Sequence, residues 1–346
     1  MENGGGTLPG GADFAIPLLE GLRGDPAGAA AADVPWQTGF VRVKSDKPAT
    51  GSTRFKTFHD GDWLYVAVAC SEPEDMDKVA AMKPWGRDNI MIVREESIEI
   101  NLSPDSSGET FYKIGIRPTG DFADYFCADD NTGTGNFTCD LKWQSGAVVK
   151  TSIAKKGWLA EVAIPLGPLC KGVAEAHRRE DSAGRAVVGF FSVGRTRIPE
   201  KRPEWSIWPA GAEGFCKPKT FAKAAMLDFD PYSHAFELNV ENVATALADG
   251  RLSVTAKATA VNRTGEFRIA EARAYLVDVS GKTVASGAAA AKGMPSDRVQ
   301  PVSVVLGDAS RGLATLHYEL YSPEGRLEAQ AITDVMVEYE LRRLAI

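Results

Sequence analysis

Apolar and polar residues alternate with period two along most of the chain, and helical periodicity is scarce. A strand turns successive side chains to opposite faces, so this pattern reads as β-structure. The run Glu96-Ser97-Ile98-Glu99-Ile100-Asn101-Leu102 is a clear case. Expected strands in the front part cover 55–59, 63–70, 97–102, 111–118, 147–153, 157–164 and 187–195, with a helical turn at 165–169. Asp60-Gly61-Asp62 marks a tight hairpin, because Asp-Gly supplies positive φ at little cost. The charged stretch 171–185, which holds His177, reads as a solvated loop. After Leu227-Asp228-Phe229-Asp230-Pro231-Tyr232, seven more strands are expected: 236–240, 251–261, 269–279, 283–285, 299–306, 314–321 and 327–339.

The chain has 346 residues, enough for two domains. All seven Trp and all five Cys precede residue 217. The two ends are therefore built differently. Seven evenly spaced strands in the tail suggest a β-sandwich of immunoglobulin or fibronectin-III type, without the Trp and Cys hallmarks of antibody domains. Its edge strands leave room for a protein partner.

The balance of 39 Lys+Arg against 46 Asp+Glu gives −7, which argues against nucleic acid. No apolar run is long enough to span a membrane. Met1-Glu2-Asn3-Gly4-Gly5-Gly6 lacks the features of a signal peptide. The glycines read as a linker remnant, so the expected location is extracellular or periplasmic after removal of a leader absent from this sequence. A cytoplasmic location is the other reading. Cys127 and Cys139 flank a turn-rich stretch, where a disulfide would stabilise by about 3 kcal/mol; two separate thiols are the alternative.

Catalytic motifs are scarce. Only His59, His177, His234 and His317 exist, none at metal spacing, and G-x-S-x-G, Walker and G-x-G-x-x-G patterns are absent. The acidic runs Glu72-Pro73-Glu74-Asp75-Met76-Asp77 and Asp129-Asp130-Asn131 read as solvated loops, with a structural calcium as the alternative. In the strand after Glu96, Ile98, Ile100 and Leu102 should be buried, and Glu99 should be solvated on the other face with Ser97 and Asn101. Phe111, Lys113 and Arg117 would share the side of Glu99, and Arg195 and Arg197 share a face of a third strand. If the three are neighbours, one face carries Glu99, Asn101, Lys113 and Arg195, a polar set suited to sugar hydroxyls.

Trp63 and Trp158 lie in apolar strands and are expected in the core, whereas Trp36 and Trp143, which starts a strand, stay ambiguous. Trp85, Trp205 and Trp208 lie in loops rich in charge, Pro or Gly. An exposed indole is costly unless it packs or binds, and sugar rings offer C–H faces that stack on indoles. Trp205 and Trp208 are not both expected to touch a ligand.

Several segments then resemble one family in order. They are Trp36-Gln37, Thr57-Phe58-His59-Asp60-Gly61-Asp62-Trp63-Leu64-Tyr65-Val66, Cys70-Ser71-Glu72-Pro73, the Glu96 to Leu102 strand, Gly120 with Asp124, Gly157-Trp158-Leu159-Ala160-Glu161-Val162-Ala163-Ile164-Pro165, Gly189 to Arg195, and Glu204-Trp205-Ser206. Together they resemble the family 9 carbohydrate-binding modules and the wider DOMON-like β-sandwiches. The resemblance implies a jelly-roll-like sandwich over residues 14–231 that binds saccharide between two loop tryptophans. Trp85 and one of Trp205 or Trp208 occupy matching places, with Glu99 and Arg195 as polar candidates.

The resulting expectation is an all-β chain, a jelly-roll-like β-sandwich (14–231) followed by a smaller immunoglobulin-like β-sandwich (232–346). It is expected to be an exported, non-catalytic saccharide binder, with the tail as spacer or docking domain. The alternatives are a glycan-active enzyme or accessory subunit working through Glu99, a structural or protein-interaction role, and a haem binder using His59 or Met91.

Overall fold

The structure is a computed structural model that describes residues 8–45, 47–104, 107–132, 135–170, 186–198, 203–234, 236–248, 250–262, 269–291, 300–325 and 327–338. The charged stretch 171–185 with His177, and the first six residues, lie outside the described residues.

The all-β expectation holds. The described residues form two compact units that part between Pro231 and Tyr232. In the first unit, β1 (Phe14–Ile16), β2 (Val41–Arg42), β3 (Thr53–His59) and β4 (Trp63–Ser71) come first. They are followed by β5 (Ser97–Ser103), β6 (Thr110–Ile116), β7 (Phe122–Asp129), β8 (Phe137–Asp140), β9 (Val148–Ala154) and β10 (Gly157–Pro165). The last are β11 (Ala186–Arg197), β12 (Glu204–Trp208) and β13 (Ala222–Leu227). A nine-stranded sheet runs β1-β13-β11-β5-β6-β7-β8, with β12 paired to β11 and β2. A four-stranded sheet runs β3-β4-β10-β9. Gly61, at φ 97°, turns the β3–β4 hairpin as Asp60-Gly61-Asp62 predicts.

The two sheets pack face to face through aromatic rings. Phe55 of β3 meets Phe191 of β11, with ring centroids 5.6 Å apart. Trp208 of β12 lies edge-on to Phe14 at 5.0 Å and to Phe55 at 4.8 Å. Trp158 is buried, as expected. Trp205 and Trp208 lie on a strand, not in a loop, because β12 pairs with β11. Trp143 precedes β9 without belonging to a strand, and its ring packs 4.6 Å from that of Tyr112.

The second unit comprises β14 (Phe236–Ala248), β15 (Arg251–Asn262), β16 (Glu271–Asp278), β17 (Thr283–Ala290), β18 (Gln300–Leu306), β19 (Gly312–Tyr321) and β20 (Leu327–Val337). They form two antiparallel sheets, β14-β15-β18 and β17-β16-β19-β20. Ala256, Ala258, Ala272, Ala274, Leu276, Val304, Leu316 and Leu320 fill the space between them. Among the described residues no helix is long and apolar enough to cross a membrane.

Candidate functional site

The outer face of the nine-stranded sheet gathers most of the residues that the sequence singles out. Register sets its rows. Gly194, Glu99, Gly115 and Ala123 stand side by side across β11, β5, β6 and β7. Ser192, Asn101, Lys113 and Tyr125 form the next row. Trp205 and Thr196 pair one row the other way, beside Ser97. Arg117 lies two residues beyond Gly115 and so belongs to the same face.

Glu99 and Lys113 meet here, Nζ to Oε2 at 2.5 Å. The expectation that Glu99 is solvated is corrected: it is 2% exposed, and every residue of β5 is buried. The two glycines flanking Glu99 explain this. Each lacks a side chain, and a neighbouring chain segment fills the space. Val93 packs on Gly115, and the Phe215 ring packs on Gly194. The segment Ile90–Arg94 and the stretch around Phe215 and Cys216 therefore roof this part of the sheet. Burial alone would lower the Lys113 pKa, but the Glu99 carboxylate and the Cys216 sulfur, 3.5 Å from Nζ, raise it. Under the same roof burial pushes the Tyr125 hydroxyl up to about 12.

Arg195 does not join this face. Its register partner is Ile98, so Gly194, not Arg195, stands beside Glu99. Arg195 points into the sandwich, is 1% exposed, and bonds Glu96 Oε1 at 2.7 Å, the Ser71 carbonyl at 2.8 Å and Glu72 Oε2 at 3.3 Å. Trp158 Nε1 donates to the same Glu96 oxygen at 3.0 Å. Arg197 donates to both Glu72 oxygens, at 2.6 and 2.7 Å. Burial would raise the Glu72 pKa, but Arg197 and the backbone N–H groups of Glu74 and Asp75 hold it below the usual range. That loop thus gives its buried Glu72 carboxylate to a guanidinium. Among the described residues no group of three His, Cys, Asp or Glu is arranged to hold a metal ion.

The three tryptophans expected in loops separate. Trp208 is committed to the aromatic core described above. Trp205 stands on the outer face, 53% exposed. Trp85 is 36% exposed and firmly placed: the Arg117 guanidinium lies 4.2 Å from its ring centroid, and its backbone N–H donates to Asp121 Oδ2 at 3.0 Å. Arg117 itself is buried, paired with Asp121 at 2.9 Å and Glu95 at 2.6 Å, and bonded to the Lys83 carbonyl at 3.0 Å. Burial would raise the Asp121 pKa; hydrogen bonds from Thr119, Trp85 and Arg117 lower it. One row of the outer face thus runs Trp205–Thr196–Ser97–Arg117, and Trp85 stacks on its far end. Val93 and Glu95 cross it between the indoles: their carbonyls accept from the Thr196 and Ser97 hydroxyls at 3.4 and 3.0 Å. Asp121 and Glu95 were not singled out from sequence. The signal that could have found Asp121 is the Arg117-Pro118-Thr119-Gly120-Asp121 turn, with Gly120 at φ 88°; Glu95, 22 residues from Arg117, has no such local signal.

Cys127 and Cys139 face each other across β7 and β8 and are joined by a disulfide. His59 has both ring nitrogens engaged, Nε2 with the Leu227 carbonyl at 2.7 Å and Nδ1 with the Gly61 N–H at 3.2 Å. Met91 is exposed in the segment Ile90–Arg94.

No family model matches the chain. No curated protein matches it either. Among solved structures it is similar to a Bacteroides uniformis protein proposed to bind carbohydrate, at 14% identity, over 62% of this chain and 97% of that one, TM-score 0.44. It is also similar to a family 9 carbohydrate-binding module from Caldicellulosiruptor kristjanssonii in complex with cellotriose, at 14% identity, over 62% and 93%, TM-score 0.38. The same kind of module with glucose matches at 13% identity, over 62% and 94%, TM-score 0.37. None of these carries a residue role over to this chain.

Proposed function

We propose that the chain is a non-catalytic carbohydrate-binding protein, and that residues 14–231 hold saccharide on the outer face of the nine-stranded sheet at Trp85 and Trp205. The observation that carries this reading is the row of that face which ends in two exposed indoles, one clamped on a buried arginine. A clamped indole loses little freedom when a ligand stacks on it, so less of the binding free energy goes into ordering it. Beside it the part-exposed Glu95 carboxylate offers an acceptor for a sugar hydroxyl, while Arg117 and Asp121 hold the indole in place. Glu99 and Lys113 act from beneath, by supporting the roof over the sheet. Trp208 and Arg195 serve the core of the sandwich rather than the ligand.

The disulfide supports export, because such bonds persist in oxidising compartments. Residues 232–346 are a spacer or docking domain of immunoglobulin or fibronectin-III type, a reading that their three-plus-four-strand arrangement supports. Calorimetric titration with neutral oligosaccharides, cello-oligosaccharides among them, tests the site. Trp85→Ala and Trp205→Ala should each weaken binding by about tenfold or more, equivalent to about 1.4 kcal/mol. Unchanged affinity in both variants would remove the site from this face.

A further inference from the structure

The four-stranded sheet has an outer face of its own, and it is only half covered. Near one end, Lys56 of β3, Ala67 of β4 and Glu161 of β10 form a row. The chain between Gly28 and Trp36 lies over that row: Glu161 Oε1 accepts from the Gly28 and Ala30 N–H groups, and Lys56 Nζ donates to the Ala32 carbonyl at 2.7 Å. The next row on the same face is Arg54–Ala69–Leu159–Ser152, one residue from each strand. That row floors a cleft of about 650 Å³. Its small central residue, Ala69, keeps the floor low. Three strand spacings make the floor about 14 Å long, room for a short oligosaccharide.

The chemistry of the cleft is one-sided. In a chain of net charge −7, no Asp or Glu lines it. Arg54 and Lys156 both do, Arg54 on β3 and Lys156 on the turn between β9 and β10. Among the described residues neither forms an ion pair, although Lys156 also borders a neighbouring hollow lined by Glu72, Glu74 and Asp77. Arg54 is also placed by an aromatic contact, its guanidinium 4.6 Å from the Trp36 ring centroid, and a guanidinium fork suits a carboxylate. Ser52, Ser71 and Ser152 add hydroxyls, and Leu159 adds an apolar surface for a ring face.

We propose that this cleft is a second saccharide site, on the opposite sheet from the tryptophan row, and that it takes an anionic sugar chain bearing uronate carboxylates or sulfate esters. The proposal rests on the carbohydrate-binding reading but uses none of the same residues. A neutral ligand would leave Arg54 and Lys156 without partners, whereas an anionic one pairs both.

The test is calorimetric titration of the full chain with a galacturonate tetrasaccharide, its fully methyl-esterified form, and a sulfated tetrasaccharide. The uronate or the sulfated probe should bind at least tenfold more tightly than the neutral ester, and binding should weaken as salt screens the charges. Arg54→Gln with Lys156→Gln should weaken that binding at least tenfold. Lys142→Gln with Lys257→Gln removes the same charge elsewhere and should leave it unchanged. Ala69→Phe, which fills the floor, should block the site while the melting temperature stays near that of the parent. Which acidic probe binds identifies the source of the charge. Equal binding of acid and ester, no binding of either acidic probe, or equal loss in the two charge variants would overturn the proposal. Trp85→Ala keeps the tests separate. If it leaves neutral-sugar binding intact, the tryptophan site fails; the cleft stands or falls on Arg54 and Lys156 alone.

Discussion

The two units bury different things. The first encloses Arg195, Arg197, Glu72 and Glu96 in one network, the Lys113–Glu99 pair in another, and Arg117 with Asp121 in a third. The second fills its core with Ala, Val and Leu, and Glu319 is the charged residue it buries among those described. The difference follows the loops. Glu72 bonds the N–H groups of Glu74 and Asp75 as well as the two arginines, which ties down the loop after β4. Arg117 and Asp121 tie down the loop that carries Trp85. In the tail the fully described connections are short, as at Asp278, whose carboxylate accepts from the Ser280 and Lys282 N–H groups. Buried charge in the first unit thus appears largely where long loops are held in one conformation. Such groups are better explained by the arrangement they specify than by net stability.

That contrast can be broken at its strongest point. Arg195→Met strands the buried Glu96 carboxylate, while Arg197 still holds Glu72, and should destabilise the first unit by about 3–5 kcal/mol. Every Trp lies in the first unit, so tryptophan fluorescence during urea unfolding follows that unit alone. Circular dichroism reports both units, so the part of its change that fluorescence does not follow reports the tail, whose transition should not move. Equal shifts in both transitions would show that the networks do not act locally. A smaller effect comes from the disulfide. Cys127→Ser with Cys139→Ser opens a loop of sequence separation 12 and should cost about 3 kcal/mol. Again the loss should fall on the fluorescence-detected transition only.

Strands written in one uninterrupted pattern were legible. The β3–β4 hairpin follows from Asp60-Gly61-Asp62 between apolar runs, and all seven tail strands appear near their expected positions. β7 and β8 were missed because their polar residues break the alternation. Asp124 is fully buried, and its partners are Ser145, 21 residues away, and Arg87, 37 residues away. Nothing local shows such a carboxylate to be paired. The site was half legible for a related reason. Alternation says which residues of one strand share a face, and it placed Lys113 beside Glu99. It does not give the register between strands, and one residue of offset put Gly194 beside Glu99 and turned Arg195 inward. Trp205 and Trp208 are three apart and so must face opposite ways once β12 is known to be a strand.

The gentlest prediction uses protons. Burial holds the His59 pKa below its ordinary 6.5, even though the Leu227 carbonyl and the carboxylates of Asp60 and Asp228 oppose the shift. Below pH 6.5 the unfolded chain therefore takes up a proton at His59 before the folded chain does. Stability is then greatest above that pH and falls as pH drops towards the folded value. Glu72 adds a second step. Its folded pKa lies below the ordinary 4.5, so the unfolded carboxyl protonates first and stability falls again below about pH 4.5. Both groups sit in the first unit. The fluorescence-detected midpoint in urea should decline from pH 7 to pH 5, then more steeply below pH 4.5, while the tail's midpoint changes less over the first interval. His59→Gln lowers stability throughout, because it loses the Leu227 and Gly61 contacts, but should flatten the limb between pH 7 and 5. A parent midpoint that stays level over that limb would mean His59 is not held neutral by burial, and the contrast between the units would rest on the arginine networks alone.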